Sequence, residues 1–170
     1  LEPLRHVHNP GFSCVIFRRT YPQVTNPGGM WDESTKLYPL IGAQPRQSDL
    51  LWRFPSGAVV RFAHLQHENN KFDWQGSQIP LVCFDELTHF SQSQFLYMLS
   101  RNRSMSGVRP YVRATTNPDA ESWVKEFLAP WVDDEHPDYP WPSGALRWFT
   151  QIDGKIMWVA PDWRDENGLQ

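Results

Sequence analysis

Cysteine is scarce: Cys14 and Cys83 are the only two in 170 residues. Two thiols make neither a disulfide framework nor a four-cysteine zinc site, so a reducing compartment is expected. No run of eighteen apolar residues occurs, which excludes a membrane-spanning helix. Internal repeats and low-complexity tracts are missing, and no G-x-S-x-G string supports a serine nucleophile on a strand-to-helix turn. No charged-then-apolar leader is present and the chain starts at Leu1, so a processed product or a piece of something longer is expected. What is present is globular rather than disordered, with 40% hydrophobic and 21% charged residues.

The net charge of −3 does not announce nucleic acid, but it is unevenly spread. Residues 1–113 carry twelve basic and eight acidic side chains, net +4, whereas residues 114–170 carry four and eleven, net −7. Twelve of the sixteen cations are arginine, the side chain suited to bidentate contact with phosphate or carboxylate.

Hydrophobic patterning sets out alternating elements. Phe12–Phe17 reads as a buried strand, and Thr25–Gly29 as a loop. Met30–Leu50 carries mixed signals. Leu51–Phe54 and Ala58–Leu65 around Pro55-Ser56-Gly57 read as a hairpin, and Glu68–Gly76 as an exposed polar loop. Ile79–Phe84 is the most strongly buried-looking strand. Ser91 then caps a helix, with Gln94 reaching back in a capping box and Phe95, Leu96, Met98 and Leu99 on one face. Val108–Thr115 returns as a strand. Asn117 reads as the next cap, with Pro118 at the first helical position and Asp119 and Glu121 in the first turn. Trp123, Val124, Phe127 and Leu128 form that helix's apolar face, and Pro130 is expected to stop it. Finally Asp153-Gly154 joins Leu146–Ile152 to Lys155–Val159 as a hairpin. Strands alternating with helices predict an α/β fold with a parallel sheet.

Leu81-Val82-Cys83-Phe84 runs directly into Asp85-Glu86. On a buried parallel strand this places both carboxylates at the carboxyl end, where open α/β sheets bind ligands. Nucleoside triphosphatases need such a pair, one carboxylate to hold Mg²⁺ and the next to polarise the attacking water. A strand ending in two solvated carboxylates would give the same string. Ala114-Thr115-Thr116-Asn117-Pro118 ends the next strand; if the two strands are neighbours, its hydroxyls and amide come near Asp85 and Glu86. His64-x-x-His67 with Cys83 and His89 suggests a metal set, but 64 and 67 point to opposite faces of a strand.

Taken together, these motifs resemble the large terminase subunit of tailed bacteriophages, the motor ATPase that packages viral DNA. The matching blocks are Phe17-Arg18-Arg19-Thr20, Gly57-Ala58-Val59-Val60-Arg61-Phe62, Lys71-Phe72-Asp73-Trp74-Gln75-Gly76, Val82 to Thr88 and Arg113 to Pro118. Trp123-Val124-Lys125, Arg147-Trp148-Phe149 and Trp158 resemble the region that follows. The resemblance implies a partial P-loop NTPase of the ASCE/RecA-like type, with a mostly parallel sheet, flanking helices and accessory β-hairpins. It implies a partial ATPase domain over residues 1–130, with an acidic loop and hairpin over 131–170. ATP and Mg²⁺ are implied as substrate and cofactor, Asp85 as the Mg²⁺ carboxylate and Glu86 as the base. Thr115, Thr116 and Asn117 would couple hydrolysis to DNA movement, and Arg18, Arg19 and Lys71 would be phosphate- or DNA-facing cations, with a strand-end ion pair as the alternative for Arg18 and Arg19. The implied partners are double-stranded DNA, the portal protein, the small terminase subunit and further copies in a ring. The implied place is the host cytoplasm and, transiently, the procapsid portal.

One departure stands out. The family's phosphate loop, G-x-x-x-x-G-K-[ST], does not occur, and the only Gly-Lys pair is Gly154-Lys155 in the late hairpin. The expectation is a chain that begins just after that loop, ends before the nuclease domain and hydrolyses little ATP by itself. Leu1–His6 would fit the tail of the helix after the loop. The rival readings are another P-loop DNA motor, such as a helicase, and a non-catalytic nucleic-acid or protein binding module of the same fold. Nine tryptophans suggest either stacking surfaces for nucleic acid or packing; Trp123, Trp148 and Trp158 have packing positions, and a motor that grips any sequence is expected to hold the phosphate backbone rather than the bases.

Overall fold

The computed structural model describes residues 1–170 except 118, 166, 167, 169 and 170. In chain order the elements are β1 (Ser13–Arg18), α1 (Tyr21–Thr25), α2 (Met30–Leu37), β2 (Gln44–Arg46), β3 (Leu51–Arg53), β4 (Val59–His64), β5 (Leu81–Phe84), α3 (Gln92–Arg101), β6 (Tyr111–Ala114), α4 (Trp123–Val132), β7 (Trp148–Ile152) and β8 (Lys155–Val159). They fall into two compact units, Leu1–Pro118 and Asp119–Gln170.

The first unit is a six-stranded sheet in the order β2-β3-β4-β1-β5-β6. β4, β1, β5 and β6 are parallel, and β2 and β3 add an antiparallel margin. The α/β class with a mostly parallel sheet and accessory hairpins is therefore the one expected. Both faces are covered, as a parallel sheet requires. On one, Cys14, Val60, Phe62, Leu81 and Cys83 are buried with Trp31, Tyr38 and Trp52; the Trp31 and Trp52 rings stack at 5.4 Å. Burial, with Cys83 beside it, pushes the Cys14 thiol well above its ordinary range. On the other face Phe17 and Phe84 stack at 5.5 Å and meet Trp74, Phe90 and Phe95.

The capping box at Ser91 forms as expected: Ser91 Oγ accepts from Gln94 N at 3.0 Å, and Ser91 N donates to Gln94 Oε1. Gln94 does more than cap. It is fully buried, and its amide donates to the carbonyls of Leu65 (3.1 Å) and His67 (2.9 Å) while its Oε1 accepts from Arg19 at 2.9 Å. One side chain thus satisfies the backbone that leaves β4. The polar stretch after it is a 3₁₀ helix over Glu68–Trp74 rather than an open loop, and within it Lys71 is buried.

Three further expectations differ. The expected strand from Val108 shortens to Tyr111–Ala114, since Pro110 has no N–H for a ladder. Asn117 does not cap α4, because the helix starts only at Trp123, with Ser122 Oγ accepting from Val124 N at 3.3 Å; the Asn117 amide is bonded to Glu86 instead. Pro118, expected at the first helical position, lies outside the described residues, and Asp119 accepts from Glu121 N in the turn before the helix. Pro130 does not stop α4 either. The helix runs to Val132, because proline forfeits a single ladder bond near the end while its carbonyl accepts from Trp141 N at 2.8 Å.

The second unit packs α4 on the β7–β8 hairpin through aromatic rings. Phe127 stacks on Trp158 at 5.1 Å, with Trp131, Trp141 and Phe149 around it. Asp153 (φ 49°) and Gly154 (φ 79°) turn the hairpin left-handed at both central positions, the geometry an Asp-Gly pair favours. Trp148, expected to pack, is 43% exposed, because the strand alternation that half-buries its neighbour Phe149 against Phe127 and Trp158 turns it outward.

Gln94→Leu removes the amide while keeping the apolar bulk, so it deletes the buried network together with the capping bond from Ser91 N. Leaving the His67 carbonyl and the Arg19 guanidinium short of partners should lower unfolding stability by about 2–4 kcal/mol, at roughly 1–3 kcal/mol per stranded group. Denaturant titration followed by tryptophan fluorescence measures it, and a loss below about 0.5 kcal/mol would remove Gln94 from this role.

Candidate active site

The parallel register sets the site. Phe17 pairs with Phe84 and Phe84 with Ala114, so the residues that follow emerge side by side at the carboxyl edge of the sheet. Backbone bonds hold that level: Asp85 N donates to Phe17 O at 2.9 Å, Thr115 N to Phe84 O at 3.0 Å and Leu87 N to Thr115 O at 2.8 Å. The strand carrying the threonines is indeed the neighbour of the strand carrying the carboxylates.

Asp85 is held from both sides. Arg18 Nε lies 2.5 Å from its Oδ2, and the Thr115 hydroxyl donates to its Oδ1 at 2.7 Å. The carboxylate remains 28% exposed. Asn117 Nδ2 reaches both oxygens of Glu86, at 3.0 and 3.2 Å. Glu86 itself sits at φ 61°, ψ 68°, in the left-handed region that a residue with a Cβ adopts at a cost of about 1–2 kcal/mol. Strain of this kind concentrates at functional positions. Here it turns the chain sharply between β5 and the 3₁₀ turn at Leu87–His89, placing the second carboxylate opposite Asn117.

Asp85, Glu86, Thr115, Asn117 and Arg18 are thus brought together. Thr116 is not: its hydroxyl donates to the carbonyl of Asn117 at 3.1 Å. Arg19 is turned away too, and its Nη1 donates to Leu65 O at 2.8 Å and to Gln94 Oε1. Lys71 is bonded to Glu68 at 2.5 Å and to the Ser93 hydroxyl. That ammonium, with the Ser91 hydroxyl, holds the Glu68 carboxyl below the usual glutamate range. The stabilisation is complete at neutral pH and lost as pH falls through the lowered value. Arg19 and Lys71 are therefore internal counter-groups rather than surface cations.

Arg18 thus forms a strand-end ion pair, the alternative to a phosphate-facing role, and its partner is Asp85. The signal for that pair is the matched pattern of two buried strands, each ending in a phenylalanine followed by a charge of opposite sign. Beyond Arg18 the edge continues to its register partner His64, whose buried Nδ1 has no hydrogen-bond partner among the described residues. His64 borders an open cleft of about 370 Å³ with Tyr21, Arg61 and Trp74.

The candidate metal donors are all oxygen: two partly exposed carboxylates, Asp85 and Glu86, and the Thr115 hydroxyl. That suits Mg²⁺, which keeps several waters and takes one or two carboxylates plus substrate phosphates, rather than a metal caged by protein.

Residues 1–162 match the family of N-terminal regions of T4likevirus-type terminase large subunits. Among solved structures, the chain is similar to the large terminase of a thermophilic bacteriophage, with a TM-score of 0.49 and 15% identity over 65% of this chain and 27% of that one. It is also similar to the Thermus phage P74-26 large terminase ATPase domain (TM-score 0.45, 14% identity, 75% of this chain and 55% of that one). The N-terminal domain of the DNA packaging ATPase from bacteriophage phi29 aligns with a TM-score of 0.49 and 10% identity over 94% of this chain and 78% of that one. No curated protein matches the sequence. The chain thus spans 27% of the thermophilic phage's large terminase and about half of the P74-26 domain.

The left-handed turn at Glu86 has a direct test. Glu86→Gly should be more stable than Glu86→Ala by about 1 kcal/mol in denaturant melts, because only glycine adopts that conformation freely. Equal stability would show that residue 86 is not held left-handed.

Proposed function

Because the chain belongs to the T4likevirus-type terminase large subunit family, matching its N-terminal part over residues 1–162, we propose that it forms part of the ATPase motor that drives viral DNA into a procapsid. The observation that carries this reading is the joining of Asp85 and Glu86 to Thr115 and Asn117 across two adjacent parallel strands.

In this reading residues 1–130 form the ATPase region and residues 131–170 its end. Glu86 is the general base for the water that attacks the γ-phosphate of ATP. The Asn117 amide, bonded to both carboxylate oxygens, fixes its orientation. Asp85, partly exposed between Arg18 and Thr115, is the carboxylate that would hold Mg²⁺ with water and phosphate oxygens. When bound, the ion neutralises phosphate charge. Arg18 compensates the charge on Asp85, and the Thr115 hydroxyl fixes its aim. A change in charge at Glu86 reaches Asn117 directly, so the residues leaving β6 respond to hydrolysis; Thr115, Thr116 and Asn117 are the coupling segment.

The whole subunit would work as a ring of copies that translocates double-stranded DNA in the host cytoplasm. It would engage the portal protein and the small terminase subunit, with a nuclease domain elsewhere in the same protein.

The test is Mg²⁺-dependent ATP hydrolysis by the whole subunit, with and without double-stranded DNA. Glu86→Gln should lower kcat by about 10²–10⁴-fold, the usual worth of a general base, with little change in KM. Hydrolysis at the wild-type rate would remove Glu86 from the base role.

A further inference from the structure

With Arg19 and Lys71 committed to internal partners and Arg18 to Asp85, a cationic surface must come from elsewhere in the chain. From Leu87 to Pro118 the sequence contains no Asp or Glu, yet four arginines. Three of them, Arg101, Arg103 and Arg109, lie within nine consecutive residues that leave α3 and lead into β6. Arg103 and Arg109 are exposed, and Arg101 is half-buried with its guanidinium 5.2 Å from the Tyr97 ring centroid. Among the described residues none of the three is paired with a carboxylate, whereas Arg5, Arg46 and Arg113 are.

We propose that this loop, Arg101–Arg109, is a contact surface for the phosphate backbone of double-stranded DNA. It shares with the motor reading only the expectation of duplex DNA as a partner and does not depend on hydrolysis.

Its chemistry suits phosphate oxygens. Between the arginines stand Ser104 and Ser106, whose hydroxyls lie 3.0 Å apart, and Gly107 in the left-handed region at φ 79°. Arginine, hydroxyl and free backbone N–H groups are the donors that hold a nucleic-acid backbone without reading its sequence. An interface for an acidic protein would be expected to carry an apolar centre; here the one large apolar side chain between Arg101 and Arg109 other than Val108 is Met105, which is 89% exposed. Nor is the loop a loose tether. Asn102 Nδ2 donates toward the carbonyls of Ile79 (2.8 Å), Pro80 (3.0 Å) and Tyr111 (3.1 Å), and Ile79 N donates to Arg101 O. The loop is therefore fastened to the beginnings of both β5 and β6. Since Leu81 pairs with Tyr111, it lies at the edge of the sheet opposite Asp85 and Glu86, about 13 Å away at roughly 3.3 Å per residue. The surface and the carboxylates occupy the two ends of the same two strands.

The experiment is fluorescence anisotropy of this chain with a labelled random-sequence duplex of about 30 base pairs, without nucleotide, across a salt series. Replacing Arg101, Arg103 and Arg109 by alanine should weaken binding about 10²-fold near 0.1 M salt and reduce the slope of log Kd against log salt by about 2–3. The three-lysine variant, which keeps the charge, should retain the slope. Met105→Glu, at a side chain that packs against nothing, should weaken binding about three- to tenfold with the fold intact. Unchanged affinity and slope in the alanine variant, or full affinity in Met105→Glu, would overturn the assignment. So would a wild-type chain that binds polyglutamate but not the duplex, which would make the loop a site for acidic protein. None of these outcomes bears on whether Glu86 is a catalytic base.

Discussion

The register shared by β1, β5 and β6 is the constraint on which the site depends. Parallel strands that end at one level deliver their next residues as neighbours, and here those residues are Arg18, Asp85 and Thr115. What fixes the level is packing on both faces of the sheet. The stacked rings of Phe17 and Phe84 occupy one face, and Cys14, Leu81 and Cys83 are buried on the other. A one-residue slip would exchange the two faces and separate the charges as well. The aromatic core is thus a positional device for the polar edge above it.

Part of the charge in the first unit is used inward. Arg18 answers Asp85, Lys71 answers Glu68, and Arg19 is absorbed by Gln94 and a carbonyl. Buried or half-buried cations placed this way each need a partner, and the partners are supplied by elements distant in sequence. Glu86 departs from the same pattern. Its backbone is held in an unfavourable region while its side chain remains partly exposed, so local comfort has been traded for the direction of one carboxylate.

Periodicity and punctuation were sufficient for much of the fold. The Ser91–Gln94 box, the Asp153-Gly154 turn and the apolar run before Asp85 all state local rules, and local rules are what a sequence displays. The adjacency of Thr115 to Asp85 was legible because a strand–helix–strand unit leaves few ways to pair. The assignments of Arg19 and Lys71 were not, because nothing local to Arg19 indicates that residue 94 will be buried beneath it, and nothing local to Lys71 that Ser93 will face it. Asn117 was ambiguous for a physical reason: an amide that can cap a helix can equally hold a carboxylate, and tertiary structure decided. Trp148 shows the opposite case, in which the rule was available and simple strand alternation would have turned the residue outward once Phe149 was placed inside.

Asn102 carries a mechanical consequence. A surface segment joined to a domain by covalent chain alone transmits force through flexible backbone, which stretches before it pulls. The segment after α3 is instead clamped by one side chain to three carbonyls, two just before β5 and one at the first residue of β6. Tension applied there enters the hydrogen-bond ladder between β5 and β6 as shear, and the far end of that ladder is where Thr115 meets Asp85 and Asn117 meets Glu86. The two strands behave as a short stiff rod, and a load at one end is felt at the other as a change in the spacing of a few polar atoms.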